Sequence, residues 1–372
     1  MIGIVIAVAA AMLAAWISIW YMEKRYESEW TKNFELELSF SEEQAAEGDY
    51  LYLYEVITNN KKRILPAVCV KFRTSRYLAF EDMQGGTISD YFYRNDVISV
   101  RGFEKVRRKL RFRCKKRGVY QIMEAELVGN DYFLRRKYVE KKEARASLVV
   151  YPSFVGVNKI LPVFEKGYGE LSSRVPIFED PFENIGVREY RPGDPMNRIN
   201  WKASAKTGRW QIRTSAYTSG EPTLVVLNLE SPGAFTNVRA MEENIRIAYS
   251  LIFYLDKLGI ATSLISNGDG GGKMEGTGRG YMADVRRRLA EISYDALTKT
   301  GAALLQGVAE TVSGGRHVFV ISAAGKPELQ SRLVQMRKKG VSVTWVATVF
   351  GGEDDTRNVM SGLETILFRW KG

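Results

Sequence analysis

The chain has 372 residues, 45% hydrophobic and 26% charged, which suits two or three packed units and excludes a disordered tail. Its net charge of +11 lies beyond residue 32, because Lys24, Arg25 and Lys32 are balanced by Glu23, Glu27 and Glu29. Two cysteines, Cys69 and Cys114, exclude a disulfide framework, and a single histidine, His317, argues against a structural zinc site or a histidine-based triad.

Residues 2–21 carry no charge and are long enough to cross the hydrocarbon layer as a helix. Trp16, Trp20 and Tyr21 cluster at the far end, where amphipathic rings prefer the headgroup layer. A cleavable signal peptide would have a basic start and a shorter apolar stretch, so residues 1–22 read as a transmembrane anchor. The bases beyond it, with none before, place the soluble domains in the cytoplasm, where unpaired cysteines stay reduced.

From 33 to 150 the period is two. Tyr50–Val56 and Pro66–Phe72 alternate around a turn at Asn59-Asn60-Lys61, which predicts a β-sandwich-like domain. Lys105–Arg117 places Leu110, Phe112 and Cys114 on one face and Arg111, Arg113 and Lys115 on the other. That basic stretch is either a strand edge protected by charge or a contact with anionic lipid near the anchor; nucleic acid is the less favoured polyanion.

Residues 151–222 form a charged connecting region. Asp194 is placed as an N-cap, Pro195 as the first helical residue and Gly208 as a left-handed stop, so a short helix is expected through Arg198, Ile199, Trp201 and Lys202. From 223 to 372 strand and helix alternate. Thr223–Leu229, Ile260–Ile265, His317–Ile321 and Val341–Val346 read as strands, with helices from Met241 to Gly259 and near 281–293, 301–312 and 327–339. This predicts a doubly wound, mainly parallel α/β sheet. Gly268–Gly280 lacks the ending of a phosphate-binding loop and reads as a mobile surface loop.

Ile185–Asp194, followed by Arg198-Ile199-Asn200-Trp201-Lys202-Ala203-Ser204-Ala205, resembles the signature of family 58 of the domains of unknown function. The resemblance implies an N-terminal membrane region, a β-rich segment and a von Willebrand factor A-like α/β domain. It also implies companionship with a MoxR-type AAA+ ATPase. Domains of that kind often open a metal site with Asp-x-Ser-x-Ser after the first strand. Here those positions hold Asn228, Glu230 and Pro232, so a degenerate site with no metal, and no other cofactor, is expected.

The densest motif carries Arg188, Glu189, Tyr190, Arg191, Gly193, Asp194, Arg198, Trp201 and Lys202. It is either an interaction surface or a clamp between domains. Ser204 has no histidine or other obvious general base near it in sequence, which disfavours a nucleophile. The expected function is a non-enzymatic, membrane-anchored accessory or adaptor of a MoxR-type AAA+ ATPase in maturation or remodelling of protein complexes. The alternative is an enzyme or binding protein acting on a phosphate or other acidic ligand at 188–213.

Overall fold

The computed structural model describes residues 2–81, 86–88, 91–130, 136–168, 187–190, 196, 199–213, 222–233, 237–268, 272–295, 297–312, 316–350, 359–361 and 363–370. The chain divides into two units, Met1–Tyr151 and Pro152–Gly372.

In the first unit the uncharged run becomes helix α1 (Ile2–Glu29), long and apolar enough to cross a membrane. Ile4, Ile6, Leu13, Trp16 and Trp20 are all exposed on it. The helix continues seven residues past the expected boundary at 22 because its last turns have a packing partner: Tyr26 and, just beyond, Trp30 are buried in the β core.

Among the described residues ten strands follow: β1 (Phe34–Phe40), β2 (Gln44–Ala46), β3 (Tyr50–Asn59), β4 (Leu65–Ser75), β5 (Leu78–Phe80), β6 (Gly86–Ile88), β7 (Tyr91–Val100), β8 (Lys105–Cys114), β9 (Gly118–Asn130) and β10 (Lys137–Tyr151). They form two sheets, β1-β3-β8-β5 and β2-β10-β9-β4-β7-β6. Both contribute to one core, through Leu51, Leu53, Ile57, Leu110 and Phe112 from the first and Val68, Val70, Ile122, Leu148 and Val150 from the second. Alternation on β8 is as expected, with Leu110, Phe112 and Cys114 buried and Lys109, Arg111 and Arg113 exposed. Among the described residues most of its basic stretch has a strand on one side only, as expected of a sheet edge. β3 runs beside it from Lys105 to Arg113, and β5 pairs with Phe112–Cys114. Glu55 lies inside this sheet, 1% exposed, and pairs across the strands with Arg108 at 3.4 Å. Burial pushes the Cys114 thiol up to about 12, with the Asp49 charge adding to the effect.

The second unit begins inside the region expected to be a connector. Helix α2 (Val157–Tyr168) buries Ile160, Val163 and Phe164 in the α/β core, so that region does not stand apart. Next come β11 (Val187–Glu189), α3 (Trp201–Thr207) and β12 (Gln211–Arg213), then the alternating elements β13 (Thr223–Asn228), α4 (Val238–Lys257), β14 (Thr262–Ser266), β15 (Met274–Gly276), α5 (Gly278–Glu291), α6 (Gly301–Thr311), β16 (His317–Ser322), α7 (Pro327–Lys338), β17 (Ser342–Phe350) and β18 (Glu364–Trp370). The main sheet has the order β15-β14-β13-β16-β17-β18 and is parallel throughout except for β15. β15 lies within the stretch expected to be a mobile loop; its residues 269–271 are outside the described ones.

Every residue of β13 is buried because both faces are covered. Val225 and Leu227 join a core with Ile245, Ile252, Val285 and Leu289 of α4 and α5. Leu224 and Val226 join another with Leu305, Val308, Leu333 and Met336 of α6 and α7. The winding is therefore double.

His317 opens β16, its ring against Phe319 and its two nitrogens at 2.8 Å from Ser342 Oγ and 3.3 Å from Thr344 Oγ1. Burial lowers its pKa from 6.5 to about 4. Between these values the unfolded chain binds the proton and the folded chain does not, so stability is full above pH 6.5 and falls as pH drops towards 4. The loss is expected to reach about 3 kcal/mol. His317→Gln should remove it, and equal acid sensitivity of wild type and variant in urea titrations at pH 4 and 7 would refute the assignment.

Candidate functional site

Strand order reverses at β13 and β16, where parallel α/β sheets place ligands just beyond the carboxyl ends of the strands. A continuous polar network occupies that place. Asn228, 1% exposed at the end of β13, donates from Nδ2 to Ser322 Oγ at 2.9 Å. Its Oδ1 accepts from Asn267 Nδ2 at 2.8 Å and from the Glu230 amide at 3.1 Å. Asn267 also accepts from the Leu229 amide, and Asn244 of α4 bridges the Asn228 carbonyl to Thr348 of β17. Five elements or their ends are tied together by amide side chains, each with its bonds made.

Glu230 reaches out of this network. One oxygen accepts from the Gly301 amide at 3.0 Å, at the start of α6, and the other meets Lys326 Nζ at 2.6 Å. The carboxylate thus has a helix amino terminus on one side and an ammonium on the other. Hydrogen bonding and charge from Glu230 hold the Lys326 pKa above its ordinary value.

These residues do not fit a divalent ion. Asn228 has committed its oxygen to two donors, Pro232 offers no side-chain ligand, and Lys326 already supplies the positive charge beside Glu230. No group of three or more His, Cys, Asp or Glu suited to a metal occurs among the described residues. Millimolar Mg²⁺ or Mn²⁺ is therefore expected to leave the melting temperature unmoved, whereas a native-state ligand at 100 times its Kd would add about 2.7 kcal/mol. A saturable rise that disappears in Glu230→Ala would overturn this.

The 188–213 motif forms a separate small structure. β11 pairs with β12 antiparallel, Arg188 opposite Ile212 and Glu189 opposite Gln211, and α3 lies between them in sequence. The helix starts later than expected. Its N-cap is Asn200, whose side chain accepts from the Ala203 amide at 3.1 Å, while Ile199 is bridged to Ile212 before the helix begins. Asp194, assigned the capping role from sequence, lies outside the described residues with Arg191, Gly193 and Arg198. Gly208 does end the helix in the left-handed region, φ 68°.

Ser204 is buried, donating to the Asn200 carbonyl and accepting from the Gln211 amide, both at 2.8 Å, which locks helix to strand. Ile199 and Ile212 are buried, but Trp201 is 65% exposed. Trp210, which stacks edge-on against Tyr190 at 5.4 Å, is 49% exposed, and Met196 is 59% exposed. Lys202 is exposed beside them, and the Glu189–Arg209 pair at 3.3 Å is solvated on both sides, so it adds little stability. Sequence reasoning missed Lys326, Asn267, Asn244 and Trp210. Lys326 alone left a signal, a base just before the helix-initiating Pro327 and after β16.

The basic stretch 105–117 displays a ladder of cations on tyrosines. Arg107 lies over Tyr54, Lys109 over Tyr52 and Arg111 over Tyr50, at 5.7, 3.8 and 4.6 Å from the ring centroids.

Residues 186–339 match the family described as protein of unknown function DUF58. No curated protein matches the chain. Among solved structures, the CARDB domain of a Pyrococcus furiosus protein is 14% identical, over 32% of this chain and 90% of that one, with a TM-score of 0.22. A non-cellulosomal cohesin from Archaeoglobus fulgidus is 10% identical over 32% and 91%, also at 0.22. A cohesin–dockerin complex from Clostridium thermocellum is 9% identical over 32% and 99%, again at 0.22. Scores this low carry no argument about fold or function.

Proposed function

We propose that the chain is a membrane-anchored, non-enzymatic interaction protein with its soluble domains in the cytoplasm, acting as an accessory of a MoxR-type AAA+ ATPase that matures or remodels protein complexes. The observation that carries the interaction role is the exposure of Trp201 and Trp210, with Met196, on a motif whose internal hydrogen bonds are made. Tryptophan, with tyrosine and arginine, is enriched among the side chains that carry the binding energy of protein interfaces. The ATPase as partner comes from the resemblance of that motif to family 58.

The antiparallel edge strand on an otherwise parallel six-stranded sheet suits a von Willebrand factor A-like scaffold. In it the Glu230–Lys326 pair takes the place of a metal ion. A phosphate site at the start of α3 is the weaker reading. The helix has seven residues and Asn200 already occupies its end.

The test uses the purified full-length chain and a purified MoxR-type ATPase. Wild type is expected to bind. Trp201→Ala with Trp210→Ala should weaken binding by about 100-fold, at about 2 kcal/mol or less per exposed anchor, with a folding loss of about 1–2 kcal/mol from the Trp210–Tyr190 contact that leaves the protein folded. Equal binding by the double variant would remove the motif from the interface, and no binding by wild type would remove the ATPase.

A further inference from the structure

The way α1 leaves the first unit fixes which end of the β-sandwich faces the bilayer. Going back along the helix, Trp30 lies against Gly129 within β9, the Tyr26 hydroxyl donates to the carbonyl of Asn130 at the strand end, and Glu23 pairs with Arg136 beyond it at 3.6 Å. The partners pass from inside the strand to beyond its end, so the helix departs off that end.

Two turns are fastened together there. The turn between β3 and β4 holds the helix terminus: Lys61 Nζ donates to the carbonyls of Glu29 and Lys32 at 2.9 and 3.1 Å and to that of Trp30. The turn between β7 and β8 is bound to it. Buried Asn59 donates to the carbonyls of both Arg63 and Arg101, and the Phe103 amide donates to Lys61 O. A Cβ on Gly102 would stand 2.2 Å from Lys62 O, so only glycine allows the approach.

The exposed residues of these turns have a common character. Phe103 is held in the left-handed region, φ 58°, and is 72% exposed; Ile64 is 49% exposed. A phenylalanine in that conformation and in water is uncommon on both counts. Lys62 and Arg101 beside them are exposed, as are Lys32 and Lys105. Glu104 is turned inward onto the Arg101 amide and Glu29 faces Arg63.

We propose that these two turns form a collar that rests on the anionic surface of the bilayer holding α1, with Lys62 and Arg101 facing lipid headgroups and Phe103 and Ile64 entering the headgroup layer. The proposal rests on the membrane reading of α1. Distance supports it. From Tyr21, the last residue of the uncharged run, to Glu29 the helix rises about 12 Å, and the headgroup layer is roughly 5–8 Å deep on each side. The collar therefore stands within the ~8–10 Å over which a surface charge is felt, and a modest helix tilt brings it into contact.

The test uses full-length protein in vesicles of phosphatidylcholine alone or with a third phosphatidylglycerol. Cys69 and Cys114 are both buried, so a polarity-sensitive thiol dye can be placed selectively at Phe103→Cys, at Lys62→Cys as a second position, and at Glu42→Cys, past the far end of β1. In the anionic vesicles the dyes at 103 and 62 should shift to the blue and be quenched by headgroup-labelled lipid, while the dye at 42 should not change. Arg101→Ala should reduce the docked population about fivefold, and high salt should reduce it further. If the dyes at 103 and 62 behave like that at 42 while the chain still floats with vesicles in high salt, the collar is wrong and the anchor stands. If the chain washes off in high salt, the anchor reading fails and the collar with it.

Discussion

Trp30→Ala is expected to cost about 3–5 kcal/mol, the largest effect of any single truncation in the first unit. Its ring is 4% exposed, lies 6.4 Å from the Tyr138 ring and fills the space that the missing side chain of Gly129 leaves. A Cβ on Gly129 would be 2.5 Å from the indole, so Gly129→Ala should destabilise from the other side of the same contact. Urea unfolding with thiol exposure as the readout isolates this unit, because both cysteines belong to it. A loss below about 1 kcal/mol for Trp30→Ala would mean that the helix end is not part of the core.

Asn228→Ala should cost about 3 kcal/mol in the second unit. The substitution takes the Asn228 acceptor from the Glu230 backbone amide and one bond each from the buried Asn267 amide and Ser322 hydroxyl, which keep the Lys299 and Ala324 carbonyls; an unmatched buried group costs about 1–3 kcal/mol and the emptied site adds to it. Because the network is shared, the double variant Asn228→Ala with Asn267→Ala should lose less than the sum of the two single losses. Additive losses in thermal unfolding would show that the two amides act independently.

The long periodic elements of this chain are legible in its residues. Met241, Ile245, Ala248, Ile252 and Leu255 fall on the buried face of α4, and the apolar β13 is covered on both sides. Short elements are not legible. Over the seven residues of α3 helical period cannot say which face is covered, and the apolar character of Trp201 does not reveal that its ring lies in solvent. Asp194-Pro195 and Asn200 are both good helix starts, and the choice fell on Asn200 because Ser204 and Gln211 fasten that segment to β12. In α2, Pro162 and the glycines around the helix hid the spacing of Ile160, Val163 and Phe164. The candidate site was half visible. Asn228 and Glu230 follow a strand and could be found by position, but Lys326 is 96 residues from Glu230 and only the strand order brings them together.

Helix α1 enters the β unit without a slack joint. Only Trp30–Asn33 separate it from β1, and within that stretch Trp30 is buried while the ammonium of Lys61 clasps the carbonyls at the helix end. With α1 as the proposed anchor, helix and sandwich would turn as one lever, and a change in bilayer thickness that tilted the helix by about 20° would carry the far end of β3, some 30 Å away along the strand, sideways by about 10 Å. Lipid composition would then steer the direction in which the tyrosine-and-cation ladder faces, with no hinge to absorb the movement.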